Sequence, residues 1–166
     1  MINPAQQISA ALSTLKIPVT ETEILTVPSI VGYNKQFRWA WMATQLNTFI
    51  TVTDGGDELI TPQILWRHQM EAFENAKINN TGWPRGLQSG LASISIIIST
   101  NLSQEAKDYC TALKAEKRLG GFTIPVVIDG TTGEVFRFKK KPYWGRIYYN
   151  FFGEMIDTIT VGLNRN

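Results

Sequence analysis

The run Leu91-Ala92-Ser93-Ile94-Ser95-Ile96-Ile97-Ile98-Ser99 constrains the fold more than any other segment. Small and β-branched residues with no charge among them describe a strand in the middle of a sheet, because only a strand covered on both faces reads as almost continuously apolar. The next thirty residues narrow the architecture. Ser103 stands where a helix cap belongs, Glu105 falls in the first turn, and Lys114, Lys117 and Arg118 fall near the end, as the helix dipole favours. Ala106, Tyr109, Cys110 and Leu113 give this helix a buried face, and Gly120-Gly121 stops it. Residues 123–128 then read as a further strand. Strand, helix and strand in this order make a right-handed parallel crossover.

Helical signals recur elsewhere. Asn3-Pro4 sets an oxygen-bearing cap before a proline at the first helical position, and Ile8, Ala11, Leu12 and Leu15 repeat at helical spacing up to Pro18. Thr61-Pro62 repeats the signal. On the helix it opens, Leu65, Trp66, Met70, Ala72, Phe73 and Ala76 share one arc, opposite Arg67, Glu71, Glu74 and Asn75, which puts His68 on the polar flank. In residues 144–160, Ile147, Tyr148, Phe151, Phe152, Met155, Ile156 and Ile159 form a broad apolar face for docking on a sheet.

The strand signals are hairpins. Residues 37–53 alternate aromatic and β-branched side chains around Gln45-Leu46-Asn47, although Trp39, Met42, Ala43 and Leu46 also fit one helical face; Asp54-Gly55-Gly56-Asp57 closes the run as a turn. Asp129-Gly130-Thr131-Thr132-Gly133 joins residues 123–128 to 134–138 as the clearest hairpin. Pro125, with no N–H to donate, belongs at the start or edge of its strand. Residues 19–32 show little period and read as an irregular arm. The expected architecture is a single α+β domain over 1–166, in the order α-ββ-α-β-α-ββ-α. Residues 1–35 form the helix and arm, and residues 36–166 a mixed sheet of about five strands with helices packed on it.

With 166 residues, 43% of them apolar, and five Trp, the chain can bury a core without a disulfide or a metal. Its apolar runs fall far short of the roughly 20 residues a membrane span requires. The first residues lack the basic start and apolar stretch of a secretory signal, and the lone Cys110 has no partner in the chain, so a soluble cytoplasmic protein is expected. No cofactor motif is present.

Few residues offer reactive chemistry. Cys110, among apolar helical neighbours, reads as an inert core thiol, and His68 as an exposed or capping residue. One His and one Cys cannot make a structural zinc site. Asp54, Asp57 and Glu58, and separately Asp129 and Glu134, lack the alternation of a calcium loop. A metal nuclease of the restriction-enzyme type would place Glu-x-Lys where Glu134-Val135-Phe136 stands. The loop Gly82-Trp83-Pro84-Arg85-Gly86-Leu87-Gln88-Ser89-Gly90 combines approachable backbone N–H groups with a cation, but runs from helix into strand, so no helix dipole assists an anion there. Residues 136–149 carry Arg137, Lys139, Lys140, Lys141 and Arg146 with no acid, interleaved with aromatic rings, a mixture suited to single-stranded nucleic acid. The whole chain is only +2, so the remainder is net −3.

The stretch Gly121-Phe122-Thr123-Ile124-Pro125-Val126-Val127-Ile128, followed by Gly133-Glu134-Val135, resembles the Ile-Pro strand and hairpin of thioredoxin-like domains. The resemblance covers about forty residues. It implies a thioredoxin-like α/β alternative for the fold, with a cis proline beside a Cys-x-x-Cys site; that dithiol is absent here, and the redox activity goes with it.

The expected function is therefore non-catalytic binding of a protein, a small anionic ligand or a second copy of the chain. Trp83, Arg85, Gln88, Arg137, Lys139, Trp144 and Arg146 are the candidate contact residues. One alternative is an enzyme acting on an anionic small molecule or phosphate ester, with Arg85, His68 and Asp129 converging. The other is a nucleic-acid accessory protein.

Overall fold

The computed structural model of the chain describes residues 3–83, 89–112, 121–143 and 145–163. Its elements are α1 (Pro4–Thr14), β1 (Val19–Ile24), β2 (Val27–Arg38), a 3-10 turn (Trp39–Trp41), β3 (Thr44–Asp54), α2 (Pro62–Asn79), β4 (Ser89–Ser99), α3 (Gln104–Ala112), β5 (Gly121–Asp129), β6 (Val135–Phe136) and α4 (Arg146–Thr160). The six strands form one mixed sheet whose order in space is their order in sequence. The first three make an antiparallel meander, β3, β4 and β5 are parallel, and β6 returns antiparallel to β5. The α+β class is as expected, with six strands in place of about five. Parallel neighbours need crossovers, and α2 and α3 supply them.

Strand alternation sorts the sheet into two unlike faces. Ile94, Ile96 and Ile98 of β4 point with Ile50 and Val52 of β3 and Ile124 and Val126 of β5 into the main core, closed by Ile8 and Leu12 of α1 and Phe152 and Ile156 of α4. The opposite face, under α2 and α3, mixes Phe49, Leu91, Ile97 and Val127 with the buried hydroxyls of Thr51, Thr53, Ser93 and Ser95. The caps act as the sequence indicates: Asn3 Oδ1 accepts from the Ala5 N–H at 2.8 Å, Thr61 Oγ1 from Ile64 at 3.4 Å, and Ser103 Oγ from Ala106 at 3.1 Å. The expected C-terminal turns of α3, with Leu113, Lys114, Lys117, Arg118 and Gly120, lie outside the described residues.

Four expectations need correction. Residues 19–32 are not an arm: they are β1 and the first half of β2, paired from Val19↔Gly32 to Ile24↔Val27. Their turn, Leu25-Thr26, holds both residues at positive φ, 51° and 63°, where Asn-Gly is the usual signal. The turn is held from outside instead, as the Leu25 N–H donates to Glu71 Oε1 of α2 at 2.9 Å. The second hairpin turns at residues 39–43, and Gln45, Leu46 and Asn47 lie inside β3. Pro125 sits mid-strand and buried; β6 reaches only Val127 and Ile128, so at Pro125 β5 has a strand on one side alone, where a missing N–H is tolerated. Its peptide bond is trans, in place of the cis bond that the thioredoxin-like resemblance implies. The fourth correction concerns His68, which is turned into the fold and buried.

Candidate functional site

At the amino end of the parallel strands, the β2–β3 hairpin runs on past the sheet. Arg38 pairs with Thr44, whereas the described residues of β4 begin at Ser89, opposite Gln45. The 3-10 turn therefore projects beyond the sheet. It is anchored by Trp41, which is buried with its ring 5.7 Å from Tyr148 and 5.2 Å from Phe151 of α4, and the Arg38 guanidinium lies 4.8 Å over it. Met42 and Ala43 complete the reversal at φ 55° and 58°.

Anchoring Trp41 leaves its neighbours outside. Trp39 is 81% exposed and Met42 82%. The Phe37 ring, 41% exposed, meets Trp39 edge-on at 5.3 Å and Trp83 at 6.3 Å, and the Trp83 N–H donates to Gln45 Oε1 at 3.1 Å. Trp83 itself is 48% exposed. Ring contacts thus join Trp83 to the hairpin through Phe37, and a second set, Trp41 with Tyr148, joins the turn to the first residues of α4, where Arg146 is exposed.

The remaining sequence candidates divide. Arg137 is a tie within the fold: its Nε and Nη2 donate to the two carboxylate oxygens of Asp157 at 2.8 and 2.7 Å, and its Nη1 to the Phe138 carbonyl at 2.9 Å. Lys139 is exposed, its backbone N–H donating to Thr111 at the end of α3, and Lys140 and Lys141 follow it on the surface. Lys141 Nζ donates to Asn150 Oδ1. Arg85, Gln88 and Trp144 lie outside the described residues.

His68 is buried, not on a polar flank. The inward stripe of α2 is Leu65, His68, Gln69, Ala72, Phe73 and Ala76, while Trp66 is exposed. The hydroxyl-rich sheet face beneath explains this choice. Ser29 Oγ donates to the Val27 carbonyl at 3.0 Å and so accepts from Thr53 Oγ1 at 2.6 Å. Thr53, its hydrogen engaged, accepts from His68 Nε2 at 2.7 Å, and Nδ1 accepts from Ser95 Oγ. Every group in this relay is satisfied with a neutral ring, and burial pushes the His68 pKa down to about 4. A small cavity of about 130 Å³ beside Thr53 and His68 opens past Glu58 and Arg67. Asp129 lies at the end of β5, its carboxylate accepting from the Thr131 and Thr132 N–H groups.

Cys110 is buried as expected, its thiol pushed up to about 12 by burial, a thiol and not a thiolate at neutral pH. Among the described residues no group of three or more His, Cys, Asp or Glu could hold a metal ion. At the carboxyl ends of β3, β4 and β5 a cleft of about 550 Å³ runs past Asn3, Asp54, Asp57, Thr100 and Thr131. Asp54, Asp57 and Glu58 follow β3, and Asp129 and Glu134 flank the β5–β6 turn, so the turn acids gather at this end, away from the exposed rings of the β2–β3 hairpin.

No family model, curated protein or solved structure matches the chain.

Sequence reasoning missed Phe37, Trp39 and Met42 as surface residues, because it set Phe37 and Trp39 on one face of an alternating strand, or Trp39 and Met42 on one face of a helix. The available signal was Trp39-Ala40-Trp41-Met42 itself: four residues, three of them large, at the point where the hairpin reverses.

Proposed function

We propose that this protein is a non-catalytic binding protein whose partner docks on the amino end of the sheet, around Phe37, Trp39, Met42 and Trp83. The observation that carries the reading is the exposure of Trp39 and Met42 on a turn held in place by buried Trp41. Large apolar side chains grouped on the surface of a folded chain mark interaction sites, and Trp is enriched where binding energy concentrates. Of the contacts named from the sequence, Trp83, Lys139 and Arg146 supply the exposed side chains of this reading, and Arg137 helps hold the backbone that carries Lys139. The chemistry elsewhere supports a non-catalytic role: His68 is neutral and enclosed by hydroxyls, and Cys110 is protonated and buried. A cytoplasmic setting suits the lone free thiol.

A photo-crosslinking residue placed at Trp39, and a control at exposed Thr132 on the acidic end, should behave differently in cells that make the protein. A discrete macromolecular adduct from position 39 and not from 132 is the expected result. Equal adducts from both, or none, would overturn the reading.

A second reading has its own observation. The 550 Å³ cleft lies where open parallel sheets commonly take ligands, outside the carboxyl ends of the strands. Asp54 and Asp57 in its wall suit a neutral polyhydroxylated or cationic molecule better than an anion. Saturable heat or shift changes at Thr131 on adding such a compound would support it.

A further inference from the structure

Resting on the partner-docking reading, we infer that the partner is a single-stranded nucleic acid, with unpaired bases on the exposed rings and phosphates on the cations around them. Two features converge. The first is the ring set: Trp39 and Trp83, joined through the Phe37 ring, are exposed at the amino end of the sheet, and Tyr143, two residues before the α4 cap at Gly145, is 98% exposed. A stacking platform of this kind takes any unpaired base, whereas the bases of a duplex are already stacked on each other.

The second is charge. Lys35 is exposed two residues before Phe37 on β2, the exposed Arg38 lies over Trp41 at the base of the turn, Arg146 is exposed in the first turn of α4, and Lys139, Lys140 and Lys141 are exposed in the segment between β6 and α4. Residues 136–149 contain no acid, and the carboxylates of Asp54, Asp57, Glu58, Asp129 and Glu134 sit at the far ends of the strands. From β2 to β5 the sheet spans three strand spacings, about 15 Å, a distance a short single strand bridges. An acidic protein would satisfy the cations without using the rings; a membrane surface would use the rings with no preference for bases. Rings and phosphate-binding cations side by side are the requirement of a single strand, and the opposite, acidic end would repel it.

The test is fluorescence anisotropy of the full chain with labelled oligothymidylate and oligouridylate of about fifteen nucleotides, a length within the range one such surface covers. Binding should weaken by about 20- to 100-fold from 50 to 200 mM salt, as expected for about three to five phosphate contacts on a single strand. Trp39→Ala should weaken it by about tenfold at fixed salt. Lys139→Gln with Lys140→Gln and Lys141→Gln should flatten the salt dependence, and both variants should melt like the parent protein because the changed side chains are exposed. Absence of binding at 50 mM salt would overturn the inference. So would equal affinity for duplex, binding indifferent to Trp39→Ala, or binding to anionic phosphatidylserine vesicles in place of oligonucleotide. A protein adduct, or a second copy of the chain, captured at position 39 without oligonucleotide binding would overturn this inference and leave the docking surface standing; no adduct at all would remove the surface itself.

Discussion

A histidine buried among hydroxyl groups beneath a helix is held neutral by its burial, so pH acts on it through folding. Unfolded, the His68 imidazole takes a proton below about pH 6.5; folded, only below about 4. Between these values unfolding takes up a proton, so His68 contributes its full stability above pH 6.5. That contribution is lost as pH falls toward 4, by about 3 kcal/mol in total. Urea midpoints measured from neutral pH down to about 4.5 should fall in the parent protein and remain flatter in His68→Gln. Parallel profiles would show that other groups carry the pH dependence. The same sheet face holds Thr51 Oγ1 and Ser93 Oγ, buried with no hydrogen-bond partner among the described residues. Thr51→Val keeps the shape and removes the desolvated hydroxyl, so it should be neutral or stabilising by up to about 1 kcal/mol, whereas Thr53→Val breaks the relay and should cost about 1–3 kcal/mol. Equal destabilisation by the two substitutions would contradict the hydrogen-bond assignment. The period-two pattern of Thr51, Thr53, Ser93 and Ser95 is visible in the sequence, and it is the signal that would have turned His68 inward. Hydropathy alone placed Trp66 in its stead.

At the scale of elements, local chemistry was a good guide where it was conventional and a poor one where neighbours hold the chain. The three helix caps follow from Asn3-Pro4, Thr61-Pro62 and Ser103, because a cap is a contact between residues two or three apart. The β1–β2 turn is the contrary case. Thr26, β-branched and at φ 63°, is strained by its own backbone, and the Glu71 contact at Leu25 helps to hold the turn. Thr26→Gly should raise stability by about 1 kcal/mol, read as an increased melting temperature; a decrease would mean that the hydroxyl bond to the Leu25 carbonyl outweighs the strain. Gly145 opens α4 at φ +74°, and a Cβ there would lie 2.9 Å from the Phe122 ring. Gly145→Ala should therefore destabilise by about 1–3 kcal/mol, with the loss appearing first in the exchange protection of α4 amides. Loss confined to a remote strand would refute that account.

Over the whole molecule, the two ends of the parallel strands differ: turn acids follow their carboxyl ends, and the exposed rings of the β2–β3 hairpin stand at their amino ends. The two tryptophans of the projecting turn separate stability from recognition. Trp41→Ala opens a void between α4 and the hairpin and should cost about 3–5 kcal/mol. Trp39→Ser with Met42→Ser touches exposed side chains and should leave the unfolding midpoint within about 0.5 kcal/mol, while weakening oligothymidylate binding by about tenfold or more. If both variants unfold alike, the turn is part of the core and not a presented surface.

Legible from the residues alone is whatever near neighbours along the chain decide: the starts of the helices, the buried β4 run, the β5–β6 turn, the depth of Cys110. Caps, periodicity and turn residues act over a few positions and are written in place. Only in the folded molecule does Leu25-Thr26 turn a hairpin, His68 face inward, Trp83 meet Phe37, and Trp41 anchor its turn on α4. Each depends on a partner dozens of residues away, Glu71 for the turn, Ser95 for the histidine and Tyr148 for the projecting turn, and such contacts exist only once the sheet has brought its strands into register.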